Sequence, residues 1–135
     1  MSTLKINNRL LPALRIAVWL QCLAVVAQSV FAGGMLDSQS WGYPGHQLGA
    51  NVVHVLGAIQ LIIAILHWRP ARGPGWPALA SLAILLAGFV QSAIGGSSVL
   101  AVHVPLGVML AILLSWMVIW TAVPSNRRTT EPAAP

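Results

Sequence analysis

Four stretches of this chain are apolar and long enough to cross a bilayer, and no other feature constrains the fold as much. They run from Leu11 to Met35, Gly45 to Trp68, Trp76 to Gly96 and Ser98 to Val123. A transmembrane helix needs about 20 such residues. Breakers separate the stretches: DSQSWGYPG after the first, RPARGPGWP after the second and GGSS after the third. Hydrocarbon offers the backbone no water to bond, so each stretch is expected to satisfy its own N–H and C=O groups as an α-helix. The expected architecture is all-α: an integral membrane four-helix bundle forming one domain over residues 1–135, with tails 1–10 and 124–135. Composition points the same way, with 57% hydrophobic and 7% charged residues, where soluble domains carry roughly 25% charged.

Orientation follows from the basic residues. Cytoplasmic flanks are rich in Lys and Arg, and an even number of spans returns both ends of the chain to one side. Lys5, Arg9, Arg69, Arg72, Arg127 and Arg128 then share the cytoplasmic side, and the opposite loops carry Asp37 but no Lys or Arg. The expected location is therefore a cell membrane, with both termini cytoplasmic. The net charge of +5 forms no basic face interleaved with aromatics, so it reports topology and not a nucleic-acid partner. SVFAGG at the end of the first stretch resembles a signal-cleavage site, but the apolar run before it is longer than a typical signal core. Cys22 stands alone in an apolar run and reads as a small buried hydrophobe.

Polar residues recur in a pattern. AQSVFAGG (27–34) in the first stretch matches VQSAIGG (90–96) in the third. VVHVLGA (52–58) in the second matches AVHVPLGV (101–108) in the fourth. The chain thus reads as two pseudo-repeated helix pairs, parallel and related by an axis along the membrane normal. Gly49, Gly57, Gly88, Gly95 and Gly107 would let a neighbouring helix or a flat ligand come close, as small residues do in membrane bundles generally.

Histidines carry the chemistry. Ionisable residues inside spans are rare and usually functional, and His54 and His103 lie within theirs. Counted back from Trp68 and Trp120, they stand ~21 and ~25 Å above these anchors, and His46 stands ~33 Å up. His54 and His103 on helices two and four are therefore expected at one depth, as the axial ligands of one b-type haem, with His46 as the reserve ligand. A four-helix core is a usual place for such a cofactor. Each ligand's second ring nitrogen needs an acceptor, and Gln28, Gln91, Asn51 and Ser92 are the polar side chains at hand. His67, beside Trp68 and Arg69, reads as an interfacial residue in reach of water and headgroups. Zinc or copper held by His46, His54 and His103 is the other metal reading. No triad, carboxylate pair or phosphate-binding loop is present, which excludes the usual hydrolytic chemistries.

Glutamine near the outer end of helices one and three, with histidine on helices two and four, resembles one half of the heme A synthase family over roughly Val25 to Trp120. The outline is also similar to small four-helix bacterial membrane proteins with a histidine at the outer start of helix two. The resemblance implies a haem between histidines of helices two and four. His103 matches the helix-four ligand, and GHQLG and VHVLG offer His46 and His54 for helix two. The chain has one such half, no cysteine pair in the outer loop and no acidic residue near the outer end of helix two. What remains is a small membrane b-type cytochrome or haem-binding subunit, working with a quinone pool or a larger respiratory complex in the lipid bilayer. The competing reading is a non-catalytic structural or assembly subunit of a membrane complex. A small transporter is disfavoured, because no helix has a charged, broken centre.

Overall fold

The computed structural model describes residues 2–97 and 99–123. Ser98, expected to begin the fourth span, and the tail 124–135 with Arg127 and Arg128 lie outside the described residues. Four helices form: α1 (Ser2–Leu36), α2 (Gly42–Trp68), α3 (Trp76–Gly96) and α4 (Leu100–Ala122). All four are long and apolar enough to cross a membrane, α1 through its Leu10–Leu36 portion. Helix α1 begins at Ser2, so it already runs through most of the expected tail 1–10.

Short connections make neighbours antiparallel. Helix α1 packs on α2 and α4, and α3 packs on the same two. Among the described residues no Cα of α2 comes within 8 Å of one in α4, so these helices occupy a diagonal of the bundle. One end carries the α1–α2 and α3–α4 turns (the paired-turn end); the other, the terminal end, carries the α2–α3 loop.

The two ends are built differently. At the terminal end and towards the middle, Leu14 and Val18 of α1, Ala64 of α2, Ala78 and Ile84 of α3, and Leu114 and Met117 of α4 make one buried apolar cluster. Trp76 packs at 4.6 Å against both Trp116 and Trp120. Arg15 Nε donates to the Thr121 carbonyl at 2.8 Å, a favourable place for a cation because α4 ends there with unpaired carbonyls. Towards the paired-turn end the interior is less closed. No residue of α4 before Leu114 and none of α3 beyond Gly88 is fully buried. Polar and apolar residues are also inverted relative to a soluble bundle. Gln60 and Ser81 are fully buried, while Leu86, Val104 and Ile112 are more than half exposed.

Candidate functional site

The less closed half holds two histidines one turn inside their helices. His46 lies in the first turns of α2 and His103 in those of α4. Their ring centroids are 6.1 Å apart with the planes at 61°. Each ring is tied back to the preceding helix. His46 Nδ1 is 3.2 Å from the Gln28 carbonyl of α1. His103 Nδ1 is 3.0 Å from the Gln91 carbonyl of α3, and Gln91 Nε2 donates to the His103 carbonyl at 2.7 Å. A carbonyl oxygen only accepts, so each Nδ1 carries a proton and donates, which in a neutral ring leaves the lone pair on Nε2. Metal-binding imidazoles show this tautomer and this kind of second partner. The acceptors are the backbone oxygens of Gln28 and Gln91, where the sequence had suggested side-chain acceptors. Both side-chain amides lie instead over glycines. A Cβ on Gly107 would come within 2.9 Å of Gln91 Nε2, and one on Gly49 would overlap Gln28 Nε2. Glutamine, histidine and glycine therefore meet in the same way twice, once on α1 and α2 and once on α3 and α4.

The glycines carry a further consequence. A Cβ on Gly95 would sit 2.7 Å from His103 Cε1, so only glycine admits that ring position. Gln28 Nε2 and Gln91 Oε1 are buried without hydrogen-bond partners. Such orphaned atoms are rare in native interiors and call for a water, an ion or a ligand.

The tryptophan count had placed His54 level with His103 and His46 well above both. Since the rings of His46 and His103 are adjacent, that count fails. Twenty-two residues separate His46 from Trp68 and seventeen separate His103 from Trp120, so the two tryptophans differ in height by roughly 7 Å. Eight residues beyond His46, His54 lies ~12 Å deeper along α2. Its ring stacks on Phe89 at 4.3 Å and 15°, and its Nε2 is 3.3 Å from Ser92 Oγ of α3. Asn51 is exposed on α2. No group of three or more His, Cys, Asp or Glu suited to a metal ion occurs among the described residues, and so His46, His54 and His103 do not form one three-ligand site.

His67 corrects another expectation. It is only 4% exposed, because the α2–α3 loop folds back over it. Gly73 N donates to the His67 carbonyl at 2.9 Å, and a Cβ on Gly73 would lie 2.5 Å from His67 Nε2. Sequence reading also passed over Gln21 and Gln60, both fully buried. Gln60 Nε2 donates to Ser81 Oγ at 3.0 Å and lies 3.7 Å from Met117 Sδ. The available signal was a lone glutamine in the middle of an apolar helix.

Comparisons with protein-family models, with curated proteins and with solved structures returned no match.

Proposed function

We propose that this chain is an integral membrane protein with both termini cytoplasmic, and that it holds one b-type haem between His46 and His103. The observation that carries the reading is the pair of imidazoles on diagonal helices, each with its Nδ1 proton engaged by a carbonyl. The two rings, with centroids 6.1 Å apart, would hold the group between them. The looser packing of this half favours a flat group, and the orphaned amide atoms of Gln28 and Gln91 offer it polar contacts. His46 replaces His54 as the helix-two ligand in this proposal. When bound, the haem supplies one-electron chemistry. The chain's own contribution is to fix the tautomer of both ligands, orient the rings and shield the site on its terminal side with the buried apolar cluster. Electron transfer near a respiratory chain, with a quinone pool or a larger complex as partner, is the role this supports. Haem A synthesis is not proposed, for want of the acidic residue and cysteine pair noted above.

The same arrangement supports two pseudo-repeated helix pairs in a register different from the one read first. Gln28, His46 and Gly49 correspond to Gln91, His103 and Gly107, which sets HQLG against HVPLG with one residue inserted.

The structural-subunit reading keeps one specific support: the histidine–carbonyl bonds also tie α1 to α2 and α3 to α4. Absorption spectra of the purified protein, before and after dithionite, separate the two. The haem reading expects a low-spin six-coordinate spectrum that His46→Ala and His103→Ala each abolish and His54→Ala leaves in place. Colourless, folded wild-type protein would establish the scaffold instead, and an unchanged spectrum in the first two variants would refute His46 and His103 as the ligands.

A further inference from the structure

His54 takes no part in the pair, yet it is an imidazole deep in a helix built for hydrocarbon. Its ring is half-buried in the seam between α2 and α3, edged by Gly88, whose added Cβ would lie 3.6 Å away. One nitrogen has Ser92 as its neighbour at 3.3 Å. The other, Nδ1, makes no hydrogen bond to a described residue and is not among the buried unpartnered atoms, so it is open at the surface of the seam. Phe89, stacked on the ring, is 54% exposed, and Ser92 is exposed as well.

A bare imidazole nitrogen facing hydrocarbon is unfavourable, and a molecule dissolved in the membrane can supply the missing partner. Acyl chains offer no hydrogen-bonding atom. Phospholipid headgroups sit at the level of the helix ends, whereas His54 is ~12 Å further in than His46. What fits is a flat ring carrying carbonyl oxygens on an apolar tail. We propose that the His54–Ser92–Phe89 patch binds the head group of a membrane quinone. The Ser92 hydroxyl donates to His54 Nε2, which keeps the proton on Nδ1, and Nδ1 donates to a quinone carbonyl while the ring lies against Phe89. This inference rests on the membrane reading and supplies a site for the proposed quinone partner. It does not require haem for binding.

The test is equilibrium binding of a short-tailed ubiquinone analogue to the purified full-length protein in detergent, for wild type, His54→Leu, Ser92→Ala and Leu79→Ala. Wild type should bind one equivalent saturably. His54→Leu should weaken binding by about tenfold or more, since it removes the donor to the carbonyl, and Ser92→Ala should weaken it less. Leu79→Ala, exposed on α3 ten residues before Phe89, should bind as wild type does, and the absorption spectrum of the same wild-type sample separates failure of the haem reading from failure of this one. No saturable binding by wild type, or equal affinity in folded His54→Leu, overturns the proposal. If His54→Leu does not fold, unchanged affinity in Ser92→Ala overturns it. A wild-type dimer that His54→Leu dissociates, with no quinone bound, would make the patch a contact between copies and also overturn it.

Discussion

Replacing Gly42 by alanine tests how the α1–α2 turn positions His46. A Cβ on Gly42 would lie 2.6 Å from the carbonyl carbon of Gly34 and would overlap the Met35 nitrogen. Both are backbone atoms, so no rotamer change relieves the contact, and α2 must move away from α1. Forced overpacking of this kind costs about 1–3 kcal/mol. The control is Gly33, one turn from the end of the neighbouring helix, where an added Cβ meets nothing within 4 Å. There alanine should gain up to about 1 kcal/mol of helix propensity. The two variants should therefore differ by roughly 1–4 kcal/mol. His46 lies one turn beyond Gly42, and its bond to the Gln28 carbonyl is already 3.2 Å long, so separation of the helices should also loosen that ring. Thermal unfolding in one detergent, followed by circular dichroism, should place Gly33→Ala at or above wild type and Gly42→Ala several degrees below it. Haem retention should fall in Gly42→Ala alone. Equal midpoints would refute the argument, because the close approach of the two backbones would then not limit stability.

Further outcomes follow from the same geometry. Cysteines placed at Ser40 and Ser125 should react with an impermeant reagent from outside intact cells at Ser40 only; the opposite pattern would reverse the proposed topology. Arg15→Ala should destabilise the protein by about 1 kcal/mol through loss of the bond to the Thr121 carbonyl, measured by unfolding in detergent, with the haem spectrum unchanged. Gln60→Leu removes a buried amide whose Oε1 has no partner, so it should be neutral within about 1 kcal/mol in the same measurement. A large loss would mean that the Gln60–Ser81 bond contributes more to the bundle than such bonds usually do.

Helix number was legible because the apolar runs and their breakers are local signals, but the start of α1 at Ser2 was not, since the polar residues before Leu11 carry no apolar pattern. Pro70 and Pro74 mark the α2–α3 loop, Pro77 falls in the first turn of α3, and the predicted start of α3 at Trp76 is where the helix begins. The burial of His67 was not legible. Whether a histidine beside Trp68 and Arg69 meets water depends on the path of residues 69–75, and that path is fixed by long-range packing. Gln28 and Gln91 were singled out for their side chains, yet their carbonyls meet the histidines. Backbone acceptors leave no mark on residue identity, so sequence reading favours side chains.

Depth was the harder inference. Counting residues from a tryptophan assumes that each anchor marks one plane, and Trp68 and Trp120 do not. Trp68 closes α2, whereas Trp120 is packed inward against Trp76 at 4.6 Å. The better reference lies at the other end, where short turns hold the starts of α2 and α4 close to the ends of α1 and α3. His46 is the fifth residue of α2 and His103 the fourth of α4, so counting from the helix starts puts the two at one level. On this ground the proposed haem site belongs at the paired-turn end, where Gly95 admits the His103 ring. His54, two turns further along α2 in the seam with α3, is then left for the separate site proposed above.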